Sequence, residues 1–476
     1  MNLSRRKLLI GAGIGAGAVA AGAAITPMLQ REGVLMESKS RSLPVDSTSG
    51  ELPKSADVVI IGGGIQGVCT ALCLAERGMD VVICEKGVIA GEQSGRAYSQ
   101  IICWELDDRV LPLVLRSKQL WKGMNERINA DTSWRIQPRV QTYTSEEGML
   151  KAREWAREAK QAFPDPDLLN VRFIEGDELQ QRIPGARTPW QMAGLEEDAA
   201  SVDPEIGAPM IARYLQSKGV KIYTHCAVRG VETEAGKISG VVTERGAIRA
   251  KTVVLAGGAW SRLFLGNYGL QLRTMPVYLS QQRLSAVSGA PKGNGAIGTG
   301  VYWRLQADGT YANAPRLFTA PIIRESFTIG ADFLPQVMNS TSVLPMYYSL
   351  NRDFIRSFTE PTHWAMDEIS PFERVRIGAP DPSHEFCDLA LARLRAEFPV
   401  FKDSRVLERW GGRMDIAADH SPVISPVDQY PGLIINTAHS WGMTQGPGSG
   451  ELVADIIQGV KPRIDPSNFA FSRFQA

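Results

Sequence analysis

Gly62, Gly64 and Gly67 stand in the spacing G-x-G-x-x-G directly after the short apolar run Asp57–Ile61, and Glu85 closes a second apolar run at Val81–Cys84. These residue types suit the holding of a dinucleotide. Gly62 permits a tight turn, Gly64 lets backbone come close to a pyrophosphate, and Gly67 lets the next helix pack on the strand. That helix opens near Ile65 and Gln66 and is stopped by Gly78. It points free N–H groups and its positive dipole end at phosphates. Glu85, at a strand tip, can accept hydrogen bonds from a ribose. The glycine spacing alone is weak; strand, helix and acid around it carry the dinucleotide reading against a plain glycine turn.

Three further stretches bring backbone or dipole to the same place. Lys86 is followed by Gly91–Gln100, rich in glycine and hydroxyls, with Gln93, Ser94, Arg96, Ala97 and Gln100 expected along a bound cofactor. The buried strand Thr252–Ala256 ends in Gly257-Gly258, and Val228 and Trp260 belong to the same expected lining. Near the end, the strand Leu433–Asn436 leads to glycine-rich Ser440–Gly450 and a helix at Glu451–Gln458 closed by Gly459. A glycine turn before a helix N-terminus makes a second dipole site, with Gly442, Met443 and Thr444 at its mouth. On a flavin the matching target is the electron-rich N1/O2 edge.

These groups need elements to carry them, and 476 residues allow two domains. The expected fold class is α/β: a Rossmann-like domain binding FAD, and a discontinuous substrate-binding domain on a mainly antiparallel sheet. The first takes residues 55–100, 200–268 and 405–476, the second 101–199 and 269–404. Helical spacing marks 113–128 and 145–163, with a further helix at Pro204–Ser217. Lys221–Val228 reads as a strand, and Val231–Thr243 with Ala247–Ala250 as a hairpin. Alternating strands at Val277–Gln282 and Gly300–Gln306 open the antiparallel part. Residues 325–375 show no clean period and read as an insertion.

Ser4-Arg5-Arg6-Lys7-Leu8-Leu9 precedes an uncharged run from Leu8 to Leu29. This resembles a twin-arginine export signal. The run is long enough for a bilayer, and the basic residues before it put the N-terminus in the cytoplasm. Ala21-Gly22-Ala23 fits a cleavage site, so signal and anchor both stand; the expectation adopted is a retained anchor over 1–30. The catalytic body then sits on the periplasmic side of a bacterial inner membrane. Residues 31–54, rich in Ser, Pro and charge, read as a linker.

Other chemistries find little support. Fifty-two basic and 51 acidic residues give a net charge of +1, so no basic field suggests nucleic acid. The six cysteines include no C-x-x-C pair, and Cys69, Cys73 and Cys84 read as core. His225, His363, His384, His420 and His439 form no metal-spaced pair, so no metal is expected. His439, beside Trp441, is placed to touch flavin or substrate.

With Ser201-Val202-Asp203-Pro204, Asp419-x-x-Pro422 and Trp441-Gly442-Met443-Thr444 added, the chain resembles the FAD-dependent amino-acid oxidase (glycine oxidase-like) superfamily over nearly its whole length. EKGVIAGEQSGRAYSQ (85–100), EEDAASVDPE (196–205), AGGAWSRLF (256–264), YLSQQR (278–283), QADGTYANAPRLF (306–318) and YPGLIINTAHSWGMTQGP (430–447) are similar to the membrane-bound bacterial L-amino acid deaminases of the Proteus type. That resemblance implies non-covalent FAD and oxidation of an L-amino acid to a 2-keto acid and ammonia. It implies electrons leaving to the respiratory chain, through a quinone or cytochrome, without peroxide. By the same resemblance Arg316 holds the substrate carboxylate, while Gln100, Gln281, Phe318 and Trp441 line the pocket. The insertion at 325–375 lies on the membrane side.

A guanidinium suits that task because its planar fork grips a carboxylate through two parallel hydrogen bonds. Apolar walls at Phe318 and Trp441 favour the neutral amine that hydride loss requires. Arg413 and Asp415 depart from the group's pattern beside the pocket. They either shift preference toward polar or basic side chains or form a buried ion pair away from substrate. Two other functions compete: a D-amino acid or N-methyl amino acid dehydrogenase, and a flavin electron-transfer or assembly subunit without a substrate of its own.

Overall fold

The computed structural model describes residues 35–298, 300–334 and 346–474. The expected anchor at 1–30 and residues 335–345 of the insertion lie outside them. Among the described residues, no helix is long and apolar enough to cross a membrane.

The glycine motif sits where expected. Strand β1 (Val58–Ile61), helix α1 (Ile65–Glu76) and strand β2 (Val81–Cys84) follow one another. Every β1 and β2 side chain is buried, as a strand covered on both faces requires. The chain then leaves for β3 (Arg139–Thr142) and returns in β4 (Lys221–Tyr223) and β5 (Thr252–Leu255). A second sheet follows, with β6 (Thr274–Leu284), β7 (Asn294–Ile297), β8 (Val301–Leu305), β9 (Tyr311–Pro315) and β10 (Phe318–Pro321). Helix α2 (Arg352–Thr359) lies in the insertion, where the sequence shows no period. The chain closes with β11 (Val406–Ala417), β12 (Val423–Pro426), β13 (Leu433–Thr437) and α3 (Gly442–Gln458).

The nucleotide half is a six-stranded sheet in the order β4-β2-β1-β5-β13-β12, parallel except at β12. The chain runs outward from β1 in both directions, and ligands bind at the carboxyl ends beside such a switch point. The other half is a ten-stranded, mainly antiparallel sheet in which β10, β6, β9, β8, β7 and β3 are successive neighbours. Gln141 of β3, Ala296 of β7, Tyr302 of β8 and Ala314 of β9 stand in one transverse row.

Several boundaries differ from expectation, each for a reason of packing. The last helix begins at Gly442, not Glu451, so the glycine-rich stretch is itself helical. Those glycines let α3 lie close against α1: a Cβ at Gly446 would meet the Ile65 side chain at 2.6 Å, and one at Gly450 the Cys69 carbonyl carbon at 2.6 Å. Val406–Ala417, assigned to the nucleotide half, pairs along β6 from Thr274↔Ala417 to Leu284↔Val406. The return to the cofactor half therefore comes after β11. The helix Leu111–Lys122, assigned to the substrate half, packs in the nucleotide core with Trp121 Nε1 bonded to the Met443 carbonyl at 2.8 Å. The expected hairpin is a three-stranded meander over Val228–Glu234, Lys237–Thr243 and Gly246–Arg249, and the strand before it stops at Tyr223.

The segment expected as a linker is docked from its first described residues. Leu35–Glu37 pairs with Gly378–Pro380, and Ser42 Oγ donates to the Ala90 carbonyl at 2.7 Å. Arg41 forks onto Glu408 at 2.8 and 2.9 Å and lies over the Trp410 ring, 3.7 Å from its centre. Polar composition marked it as surface chain, yet its side chains find fixed partners.

Candidate active site

Between the two sheets lies a cavity of about 1260 Å³. Every residue expected at the cofactor or substrate lines it except Gly67. Gly67 lies behind the turn, where a Cβ would stand 2.0 Å from the Gly62 carbonyl oxygen. Gly62 has φ +110°, and a Cβ there would meet the Ala256 carbonyl oxygen at 2.5 Å. Only glycine turns the chain this way against β5.

The Glu85 carboxylate is held by backbone, accepting from Gly63 N–H and Gly87 N–H at 2.7 Å each. Burial pushes its carboxyl above the usual range. Ser94 Oγ accepts from Ile65 N–H at 2.9 Å, and Gln93 Oε1 accepts from Ala259 N–H at 2.6 Å. The loop after β2 thus ties α1 to the Gly257-Gly258 turn. Gln66 Nε2 donates to the Gly442 carbonyl at 2.9 Å, and Thr444 Oγ1 donates to the Gln100 carbonyl at 2.8 Å. The N-terminal ends of α1 and α3 therefore meet at one wall.

Two basic residues expected along the cofactor have other partners. Lys86 Nζ bonds Glu92 at 2.5 Å and the carbonyls of Val375 and Arg376 at 2.8 Å. Arg96 donates to Ser38 Oγ at 2.7 Å and the Lys39 carbonyl at 2.6 Å. Burial, with Arg41 nearby, brings its guanidinium down to about 10. Both line the cavity, but their charged ends hold the docked N-terminal segment and the 375–376 turn.

The substrate side is the inner face of the second sheet. Val277, Leu279, Ala296, Tyr302, Phe318 and Ile416 form a continuous apolar floor. Arg316 lies over it, its guanidinium carbon 5.6 Å from the Tyr302 ring centre. Among the described residues that guanidinium has neither a hydrogen bond nor an ion pair. Gln281 Nε2 donates to the Arg96 carbonyl at 2.8 Å, and its Oε1 is buried without a partner. Gln100 Nε2 donates to Asn294 Oδ1 at 3.0 Å. Trp441 precedes the first turn of α3.

His439 is buried, its ring nitrogens 2.8 Å from Gln445 Oε1 and from Asn436 Oδ1. Burial holds it down to about 4, so it is neutral near pH 7 and locked in place. Arg413 lines the cavity and donates to the Ala259 carbonyl at 3.2 Å, whereas Asp415 stands outside it, 4.0 Å from Arg413. Tyr302, Arg139 and Gln141 also line the cavity and are absent from the sequence expectation. The signal for the last two is polar residues alternating with Val140 in a fully buried strand.

These residues fit an FAD. The turn at Gly62 has room for backbone approach that any Cβ would fill, Gln281 offers an unsatisfied oxygen, and two helix N-termini converge on one cavity. Over residues 57–456 the sequence matches the family of FAD dependent oxidoreductases, DAO. The L-amino acid deaminase of Proteus myxofaciens, solved with anthranilate, superposes with a TM-score of 0.91 at 54 % identity, covering 94 % of this chain and all of its own. That of Proteus vulgaris superposes with a TM-score of 0.88 at 47 % identity, covering 90 % of this chain and 100 % of its own. Glycine oxidase of Pseudomonas aeruginosa is 25 % identical over 87 % of this chain and 98 % of its own length. The glycine cradle, the Glu85 tip and the cavity between two sheets are thus those of a family, and the chain belongs to the DAO family of FAD-dependent oxidoreductases, where it stands with the Proteus L-amino acid deaminases.

Proposed function

We propose that the protein deaminates L-amino acids oxidatively to 2-keto acids and ammonia and delivers the electrons to the membrane respiratory chain, a quinone or cytochrome, without forming peroxide. Bound FAD supplies a hydride acceptor. Gly62, Gly64 and the first turn of α1 would hold its pyrophosphate, Glu85 its ribose, and the Gly442–Thr444 turn its ring edge. The observation that carries the reading is Arg316 above an apolar floor in the same cavity, its guanidinium without a hydrogen bond or ion pair among the described residues.

The chain's own residues do the rest. Arg316 binds the α-carboxylate through two parallel hydrogen bonds and fixes the direction of Cα. Phe318, Leu279 and Tyr302 keep water from the amine and disfavour its ammonium form. Loss of hydride from a neutral amine needs orientation rather than a strong base, and His439 has both ring nitrogens already engaged by Gln445 and Asn436. Bleaching of the yellow holoenzyme under nitrogen by one enantiomer tests this. L-amino acids bleach it if the reading holds. Bleaching by D- or N-methyl amino acids alone supports the dehydrogenase reading, and a flavin that no amine reduces marks an electron-transfer or assembly subunit.

The membrane part of the reading places residues 1–30 as a twin-arginine anchor in a bacterial inner membrane, with the body on the periplasmic side. Two observations support it. Leu35 N–H donates to Asp353 at 3.2 Å and Arg356 donates to the Leu35 carbonyl at 2.9 Å, so the chain emerges beside α2. There Phe327, Ile355 and Phe358 are 60 %, 46 % and 53 % exposed. Apolar side chains clustered beside the emerging N-terminal segment suit a membrane face.

A further inference from the structure

Besides Arg316, the cavity is lined by a buried arginine with donors to spare that the reaction as derived leaves idle. Arg139 and Gln141 point from the same face of β3 into the cavity, while Val140 between them belongs to the core behind the sheet. Arg139 is 6 % exposed and Gln141 2 %. Arg139 Nη2 donates to Gln141 Oε1 at 2.7 Å. Its Nε and Nη1 are buried and without a partner. Among the described residues, neither Arg139 nor Arg316 has a carboxylate within 4.0 Å.

Unpaired donors are costly in a dry interior, and Glu105, which lines the same cavity, offsets charge there without bonding to these donors. A ligand with two acceptor ends satisfies the free donors of both guanidiniums. The register supplies the room. Gln141, Ala296 and Tyr302 share one row, so Gln141 and Tyr302 stand two strand spacings apart, roughly 10 Å, on the same face. Ala296 between them carries only a methyl group, which leaves a trough from the Arg316–Tyr302 pair to the Arg139–Gln141 pair. Glu105 also lines the cavity, and the Tyr143 hydroxyl donates to its Oε1 at 3.4 Å. Arg139, Arg316 and Glu105 thus face one space.

We propose that Arg139, steadied by Gln141, determines side-chain specificity: with the α-carboxylate on Arg316, Arg139 takes an oxygen acceptor at the far end of the substrate side chain, a carboxylate before an amide. L-Glutamate is then preferred to an unbranched apolar amino acid of similar length. This rests on the deaminase reading above.

Steady-state kinetics and anaerobic flavin bleaching of the full-length holoenzyme with L-glutamate, L-glutamine and L-norleucine test it. Wild type should show a higher kcat/KM for L-glutamate than for L-norleucine. Arg139→Met should lower that ratio at least about 10-fold, mainly through KM. Gln141→Glu should lower it as well, because a carboxylate is then supplied 2.7 Å from Arg139 Nη2 with the guanidinium still in place. This nearly isosteric change decides the matter alone if Arg139→Met does not fold. A ratio that stays put in Gln141→Glu, or wild type that prefers L-norleucine, overturns the assignment. If L-norleucine bleaches the flavin in either case, the deaminase reading survives; if no L-amino acid does, that reading falls first.

Discussion

Arg316 covers the Tyr302 ring at 5.6 Å, and this stacking holds a free guanidinium over the apolar floor. An aromatic face steadies a cation without satisfying its donors, so the fork stays open to a carboxylate. Arg316→Ala is expected to lower kcat/KM for L-amino acids by roughly 2–5 kcal/mol, since the bound carboxylate loses its partner. Arg316→Lys keeps the charge without the fork and should recover only part of the loss. Steady-state kinetics decide it, and unchanged values for the alanine variant would reject the clamp.

The junction of α1 with α3 depends on absent side chains. A Cβ at Gly450 would press on the Cys69 carbonyl carbon at 2.6 Å, whereas one at Gly459 meets nothing within 4 Å. Gly450→Ala must therefore push two helices apart, a cost of roughly 1–3 kcal/mol. Gly459→Ala, at φ +64°, faces only the left-handed backbone penalty of roughly 1 kcal/mol. Thermal melts of the holoenzymes should rank Gly450→Ala lower. Equal midpoints would mean that the helices yield without strain.

The contrast between Gly62 and Gly450 shows how far local pattern reaches. Gly62 belongs to a spacing whose turn, strand and helix lie within thirty residues, so its task is legible in one stretch of chain. Gly450 is needed because a helix nearly four hundred residues earlier lies against it, and glycine-rich composition alone argues for a loop. Arg139 is illegible in the sequence for a similar reason. Its meaning comes from the transverse row Gln141–Ala296–Tyr302, which no local period encodes. The placement of Arg316 came through likeness to a family; residue type alone reads as a surface ion pair. The sheet that β11 joins is not legible locally, because its partner β6 is remote in sequence while its neighbour β12 belongs to the other sheet.

His439 gives a pH signature. Burial lowers it from an ordinary 6.5 to about 4, so the unfolded chain binds a proton more readily than the folded one. Its contribution to stability is therefore complete above about pH 6.5 and is lost as pH falls toward 4. The linkage amounts to roughly 3 kcal/mol for a shift of that size. Denaturant titrations of wild type and His439→Gln between pH 4 and 7 should show a shallower acid slope in the variant. Parallel slopes would mean that His439 is protonated inside the fold.

The docked N-terminal segment is bonded to the cofactor loop. Arg96 of that loop is held by Ser38 and Lys39, and Ser42 bonds the Ala90 carbonyl. Arg41 adds a link to the Gly95 carbonyl at 3.3 Å and a fork to Glu408. Removing residues 1–30 leaves all of these in place, so that variant should leave the membrane fraction yet keep its flavin. Removing residues 1–43 takes Ser38 and Lys39 from the buried Arg96 guanidinium, leaves it the Gly411 carbonyl at 3.4 Å, and uncovers the loop, a loss of roughly 2–5 kcal/mol at that site. Flavin absorbance per protein after gel filtration should then drop in the longer deletion alone. Full membrane retention of the shorter deletion would move the attachment to Phe327, Ile355 and Phe358, and equal flavin content in both would show that the segment merely lies on the loop.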